Sequence, residues 1–111
     1  MGLRQEQSDF MRALGKLIVY ATDVCHYELT TGDTYPGKFK HSDFGQHPKG
    51  LAIDLNLFIE GHFQTTSEAH AKLGAFWKAL GGSWGGDWND GNHYSWGEGK
   101  KVKQTLNLKG V

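Results

Sequence analysis

The 111-residue sequence is poor in cysteine and proline, and its charges of opposite sign balance. Cys25 has no cysteine to pair with in the chain, so a disulfide-stapled scaffold is excluded and folding in a reducing compartment is expected. The 12 basic residues equal the 12 acidic ones, and the lack of excess positive charge argues against a nucleic-acid partner. The longest apolar runs, such as residues 17–20, are far shorter than the roughly 20 residues of a membrane-spanning helix. We therefore expect no nucleic-acid partner and no stable membrane insertion.

The N-terminal residues show no apolar segment after their charged positions, which indicates synthesis in the cytoplasm without a signal peptide. The length and the 38% hydrophobic content are typical of one small soluble domain. We expect residues 1–111 to form this single domain, as a monomer, with a basic tail over residues 98–111. The tail carries four lysines against one glutamate. It is interpreted either as a solvated chain end or as a segment attracted to an anionic polymer or lipid.

Apolar periodicity predicts two helices and at least one strand. Apolar residues recur every three or four positions over residues 5–24 and again over residues 69–80, which favours helices with one buried face. Over residues 51–58, aliphatic side chains alternate with others, which predicts a strand that turns Asp54 away from the core. The predicted fold class is α+β: a small single domain with a short antiparallel sheet flanked by two helices.

The connections carry their own signals. Residues 60–62, Glu-Gly-His, predict a hairpin turn into a short strand. Thr65 and Glu68 have the spacing of a capping box at the start of the second helix, and Gly81-Gly82 supplies its end. Residues 83–97 hold aromatic residues among glycines, and we expect an irregular loop that carries a site.

Two sequence clusters each place a histidine near a carboxylate: residues 45–55, GQHPKGLAIDL, and residues 84–94, WGGDWNDGNHY. A catalytic zinc ion requires three protein donors and keeps one position for water. His47, Asp54 and His93 are the candidate ligands, since the turn at Pro48 to Gly50 brings the first two together. The alternative is three unrelated polar residues.

The patterns H-x-x-G-x-A-x-D, W-G-G-D-W and D-x-x-H-[FY], in this order over residues 27–96, resemble a known peptidase family. It comprises the zinc D-alanyl-D-alanine carboxypeptidases and the phage L-alanyl-D-glutamate endopeptidases. The resemblance implies a hedgehog/D-Ala-D-Ala peptidase-like fold, zinc as cofactor, His47, Asp54 and His93 as ligands and Asp90 as the catalytic base. It also implies hydrolysis of stem peptides in bacterial peptidoglycan by an endolysin made in a host cytoplasm, but not which bond is cut, nor whether as an endopeptidase or a carboxypeptidase.

Other residues near the patterns receive supporting roles. Asp87 is expected either to orient a ligand imidazole or only to cap the loop, and Asp90 has the alternative role of a turn residue before Gly91. His26, His62 and His70 are expected to be ordinary surface or hydrogen-bonded residues. Four residues are expected to wall a substrate groove: Trp84, Trp88, Tyr94 and His41.

The sequence departs from the family pattern at two positions. Gly45 stands where members usually have a serine, and Pro36 stands where they place an arginine that holds substrate or oxyanion. The arginines present are Arg4 and Arg12, near the first helix. The candidates to supply the missing donor are Lys38, Lys40, His41 and Lys49. The departures keep open a zinc-stabilised cell-wall or protein binding module with weak or no activity, and a metal-free aromatic carbohydrate binder is a third alternative.

Overall fold

Two helices form where the apolar periodicity predicts them. In the computed structural model, which describes residues 2–32 and 49–97, helix α1 spans Leu3–Val19 and continues as a π-helical turn over Tyr20–Val24. Helix α2 spans Ala71–Leu80. Neither helix of the described segments is long and apolar enough to cross a membrane. The basic tail predicted over residues 98–111 lies outside the described residues.

The C-terminal end of α2 has the predicted glycine stop, whereas its N-terminal start differs from the predicted capping box. Gly81 adopts a left-handed φ of 112°, and its N–H donates to the Lys78 carbonyl at 3.0 Å, as the predicted C-terminal stop requires. The start differs from the expected box at Thr65. A 3₁₀ turn over Glu68–His70 precedes α2, and Thr66 Oγ1 accepts a hydrogen bond from the Ala69 N–H at 3.2 Å.

The strands form one antiparallel sheet in the order β1-β2-β5-β4, with β3 also paired to β2. The Leu55 N–H donates to the Asn92 carbonyl at 2.9 Å, and the Gln64 N–H donates to the Leu57 carbonyl at 2.8 Å. Because residues two apart in a strand direct their main-chain groups to the same edge, β5 and β3 share one edge of β2. The strands are β1 (Glu28–Thr31), β2 (Ala52–Ile59), β3 (His62–Phe63), β4 (Ser83–Trp84) and β5 (His93–Ser95).

Two connections of the sheet test the sequence predictions. The β2–β3 turn has positive φ at Glu60 (51°) and Gly61 (81°), which is the hairpin geometry predicted for residues 60–62. The expectation of an irregular loop over residues 83–97 is wrong. This segment supplies β4 and β5, which pair with each other and are connected through a 3₁₀ turn at Gly85–Trp88. β5 also pairs with the edge of β2, so the segment is part of the sheet.

The core lies between the helices and one face of the sheet, with Trp77 at its centre. The Trp77 ring contacts Phe10 and Tyr94 edge-on, with centroids 5.9 and 6.1 Å away. Its Nε1 donates to the carbonyls of Ser83 at 3.1 Å and Ser95 at 3.0 Å, which fastens α2 to β4 and β5. Around it are the buried residues Leu14, Leu17, Leu51, Leu55, Leu57, Leu73 and Leu80. The alternation in β2 therefore turns its odd-numbered leucines inward and leaves the opposite face for polar side chains, as predicted.

Candidate functional site

Asp54 and His93 form a cross-strand pair on the polar face of the sheet. They are direct partners in the β2–β5 register, and Asp54 Oδ1 lies 3.3 Å from His93 Nδ1. The side chains are 21% and 16% exposed, respectively, so they are partly shielded but reachable from solvent. Two residues that are 39 positions apart in the chain are thus brought to one point by strand pairing.

The backbone on both sides fixes this pair. The Asp54 carbonyl accepts a hydrogen bond from the Gly32 N–H at 2.7 Å. A Cβ on Gly32 would lie 3.0 Å from the Asp54 Cβ, so only glycine allows so close an approach without a shift. On the other side, the His93 N–H donates to the Asp90 carbonyl at 3.1 Å, closing a tight turn that leads into β5.

The spacing of the pair fits a shared metal ion. Two donors about 2.0–2.2 Å from a tetrahedral zinc ion stand about 3.4 Å apart, close to the observed 3.3 Å between Asp54 Oδ1 and His93 Nδ1. The third predicted ligand, His47, lies outside the described residues. Within those residues, no group of three or more histidine, cysteine, aspartate or glutamate side chains is arranged to hold a metal. The described residues therefore contribute two adjacent donors of the predicted set.

Asp90 lies at the start of the turn that ends at His93. The Asp90 N–H donates to the Gly85 carbonyl at 2.8 Å. Asp90 is exposed, and it lines a cleft of about 260 Å³. The sequence allows Asp90 to be a turn residue, a catalytic base or both. The turn is confirmed, and the role as catalytic base stays a prediction. An exposed carboxylate three residues before a candidate ligand is suitably placed to exchange protons with a bound molecule.

The aromatic residues of the predicted groove wall divide into two groups. Tyr94 has no exposed surface and Trp84 is only 9% exposed, so both are core residues, and in this structure the prediction that they wall a groove is wrong. The physical reason is their position in paired strands, which turns their rings towards α2. Trp88 is 55% exposed, and its ring centroid lies 5.9 Å from that of His93. It is the aromatic residue of the set that is left to contact a substrate. His41 lies outside the described residues.

Among the residues that the structure describes, Asp87 contacts a cation and not an imidazole. Both of its carboxylate oxygens accept hydrogen bonds from Lys78 Nζ at 3.1 Å, and both side chains are about half exposed. Asp87 therefore does not contact the described ligand imidazole, that of His93, and its role towards His47 stays a prediction. Asp87 instead ties the 3₁₀ turn to α2, which is closer to the alternative of a residue that stabilises the loop.

His70 is a hydrogen-bonded residue, one of the two alternatives predicted from the sequence, and it also lies beside the candidate site. It is 2% exposed, lines the same cleft as Asp90, and has its Nδ1 2.8 Å from the Tyr94 hydroxyl. Burial lowers the pKa of His70. Burial also raises the pKa of Tyr94. The signal was present in the sequence, because His70 precedes Leu73 and Trp77 by three and seven positions on the buried side of α2.

Comparison with known proteins identifies the protein family to which this chain belongs. A family model described as D-alanyl-D-alanine carboxypeptidase matches residues 40–96, just over half of the 111 residues, and this stretch contains Asp54, Asp90 and His93. Comparisons with curated proteins and with solved structures found no match. On this family match, the chain belongs to the D-alanyl-D-alanine carboxypeptidase family of peptidases.

Proposed function

We propose that this protein is a zinc-dependent peptidase that hydrolyses peptide bonds in the stem peptides of bacterial peptidoglycan, as phage endolysins of this family do. The observation that carries the proposal is the 3.3 Å approach of Asp54 Oδ1 to His93 Nδ1 on the solvent side of the sheet. The family match supports the peptidase class. The zinc ion and the phage lysis role go beyond that match and rest on the sequence patterns.

Asp54 and His93 are the proposed protein donors in the described residues, and His47 is proposed as the third on its sequence pattern. Zinc, when bound, acts as a Lewis acid and brings the pKa of a water molecule towards about 7. The chain's own contribution is to hold the two donors rigidly through the β2–β5 pairing. Rigid support of this kind limits the reorganisation that catalysis requires.

Asp90 is the proposed general base and general acid. Its carboxylate takes a proton from the attacking water as the water oxygen bonds to the scissile carbonyl carbon. The same proton passes to the nitrogen of the leaving amine as the carbon–nitrogen bond breaks. The exposed position of Asp90, in the turn that ends at His93, allows contact with both a water molecule and a substrate.

A specific observation favours a second candidate, the catalytically weak binding module. The arginines Arg4 and Arg12 belong to α1, which packs on the face of the sheet opposite to Asp54, so neither supplies the cation that the family places near its substrate. Loss of one such donor costs about 2.7–4 kcal/mol of transition-state stabilisation. A protein that keeps the ion and the aromatic contact of Trp88 would then bind cell-wall fragments with little turnover.

One experiment separates the two candidates. Purified protein is incubated with purified peptidoglycan, and new amino groups are measured before chelation, after chelation and after zinc is restored. The proposed peptidase releases amino groups, stops on chelation and recovers with zinc. Sedimentation with peptidoglycan without any release of amino groups supports the binding module and contradicts the peptidase. Mass spectrometry of the released fragments then identifies the bond that is cut.

A further inference from the structure

A polar cleft of about 260 Å³ opens beside the Asp90 turn, where β3 and β5 meet the same edge of β2. The proposed hydrolysis uses Asp90 alone among the residues that line it. Among the lining residues that the structure describes, Asp90 is the one carboxylate and there is no lysine or arginine. The other polar groups of the lining are neutral amides, hydroxyls and one imidazole, including Asn56, Gln64, Ser67, His70 and Asn92.

His70 presents a ring nitrogen to this cleft. The residue is 98% buried, since only 2% of its surface is exposed, and its Nδ1 is engaged by the Tyr94 hydroxyl at 2.8 Å. Within residues 2–32 and 49–97, the ring makes no second hydrogen bond. A fully buried side-chain nitrogen without a partner occurs in these residues only at Trp96 Nε1, so His70 Nε2 keeps some exposed surface. Because His70 lines the cleft, Nε2 borders the cleft and is available to a ligand.

The buried hydroxyl of Tyr94 determines which His70 nitrogen carries the proton. Tyr94 has no exposed surface, and among the described residues the one hydrogen-bond partner of its hydroxyl is His70 Nδ1. Because a buried hydrogen-bond donor without an acceptor is costly, the Tyr94 hydroxyl directs its hydrogen to His70 Nδ1, 2.8 Å away. With Nδ1 as the acceptor of this bond, a neutral imidazole carries its proton on Nε2. The buried nitrogen at the cleft is therefore a neutral hydrogen-bond donor.

Ser67 adds a second donor. Its Oγ accepts a hydrogen bond from the Gly91 N–H at 2.9 Å, which leaves the hydroxyl hydrogen available to the cleft that Ser67 also lines. The cleft thus combines two neutral donors with the negative charge of Asp90. Neutral donors satisfy an amide carbonyl, whereas a free carboxylate at this place would meet the like charge of Asp90, with no lysine or arginine among the described lining residues to offset it.

We propose that this cleft is a binding subsite for an uncharged amide carbonyl of a peptide, with His70 Nε2–H as the donor to its oxygen and Ser67 as a second donor. The inference rests on the proposed function only for the statement that the peptide is a stem peptide. If the proposal holds, the subsite prefers a peptide that continues as an amide to a peptide that ends in a carboxylate. A substrate that continues through this subsite is what an endopeptidase requires.

The test uses two small probes that differ in this one group, N-acetyl-D-alanine amide and N-acetyl-D-alanine. The backbone amide signals of Gly91 and Asn92 are followed by NMR as each probe is added to the full chain. We expect the amide to bind several-fold more tightly than the acid. Long-range nitrogen–proton spectra of the imidazoles should also show His70 as the Nε2–H tautomer before any probe is added. Equal or tighter binding of the acid, no binding of the amide, or an Nδ1–H tautomer would overturn the proposal.

Variants assign the effect to His70. His70→Phe should weaken amide binding roughly two- to tenfold, the loss of one neutral hydrogen bond. His70→Gln, whose amide nitrogen stands near the position of Nε2, should retain binding. His62→Phe, at an exposed position of β3, is the matched control and should not change it. If His70→Phe does not fold, Tyr94→Phe replaces it, because that variant frees Nδ1 and should reduce the Nε2–H population. Equal binding by the His70 or Tyr94 variant and the His62 variant contradicts the proposal.

Failure of this inference is distinguishable from failure of the proposed function, since the probes contain no bond between two amino acids. A protein that binds the amide probe as described but leaves peptidoglycan uncut keeps the subsite and refutes the peptidase. A protein that cuts peptidoglycan but prefers the acid probe keeps the peptidase and refutes the subsite.

Discussion

Asp54 and His93 face each other across β2 and β5, with Oδ1 and Nδ1 3.3 Å apart. The pairing of the two strands sets this distance, and the core beneath them, fastened by the Trp77 indole to the Ser83 and Ser95 carbonyls, keeps the strands in register. The candidate site is therefore built on paired backbone and not on a free loop. Such support holds two donors in a fixed relationship.

The Asp90 carboxylate is expected to be required for turnover but not for folding. Asp90→Asn should reduce peptidoglycan hydrolysis by about 10²–10⁴-fold, the usual contribution of a general base. Because Asp90 is exposed, the free energy of unfolding should change by no more than about 0.5 kcal/mol. Asp87→Asn is the matched control, since its side chain contacts Lys78, and it should retain most of the activity. Hydrolysis by Asp90→Asn at the parental rate would show that the base has been assigned wrongly.

Because Gly85 packs closely against the Asp90 turn, we expect that any side chain at this position destabilises the protein. A Cβ at Gly85 would overlap the Asp90 carbonyl oxygen and lie 2.8 Å from the His93 Cβ. Gly85→Ala should therefore cost roughly 1–3 kcal/mol of unfolding free energy and weaken zinc binding, measured by denaturation and by zinc titration. Gly15→Ala, at a helical position with no atom within 4 Å, should instead stabilise the protein by about 0.5–1 kcal/mol. Similar effects of the two substitutions would contradict the described packing.

The two tryptophans of the Trp-Gly-Gly-Asp-Trp segment should separate stability from binding. Trp84 is buried and its Nε1 donates to the Gly91 carbonyl at 2.8 Å, so Trp84→Ala should cost about 3–5 kcal/mol. Trp88 is exposed beside His93. Trp88→Ala should leave stability within about 0.5 kcal/mol and raise KM roughly two- to tenfold through the lost ring contact. An unchanged KM would remove Trp88 from the substrate contacts.

Burial of His70 predicts a pH dependence of stability. The folded pKa of His70 lies below its ordinary value of 6.5, which is also its value in the unfolded chain. Between these two pKa values the unfolded chain binds more protons than the folded protein, so the free energy of unfolding falls as the pH is lowered below about 6.5. The slope contributed by His70 is at most about 1.4 kcal/mol per pH unit.

The His70→Gln variant isolates this contribution. Urea denaturation from about pH 8 to about pH 5 should show a smaller loss of stability in the variant than in the parent protein, because glutamine does not titrate. His62→Gln, at an exposed position, should follow the parent. Parallel curves for His70→Gln and the parent protein would mean that His70 is not held in its neutral form by burial.

Local pattern was sufficient to predict α1, β2 and the β2–β3 turn, because each of these has a strong signal of its own. The apolar spacing over residues 5–24, the alternation over residues 51–58 and the Glu60-Gly61 turn all agree with the structure. Strands β4 and β5 were not predicted, since two and three residues carry no periodicity. They exist because they gain partners that are distant in the chain.

For the site, the sequence predicted the face of the sheet that carries Asp54 but not the direction of the aromatic rings. The burial of Trp84 could have been inferred from Gly74, a glycine within α2, since a Cβ there would overlap the Trp84 ring. The partner of Asp87 could not be inferred, because the nine-residue separation from Lys78 spans the end of α2 and strand β4. Charge type and spacing identify candidates, whereas their partners depend on the packed structure.

The proposal that Asp54 and His93 hold zinc is tested most directly by measuring bound zinc in the purified protein and in ligand variants. Elemental analysis after exhaustive dialysis should find about one zinc ion per chain in the parent protein, the content of a mononuclear site. Asp54→Ala and His93→Ala should both fall well below this content, and the exposed-site control His62→Ala should match the parent. Equal zinc in all four proteins, or no zinc in a folded parent protein supplied with the ion, would contradict the account.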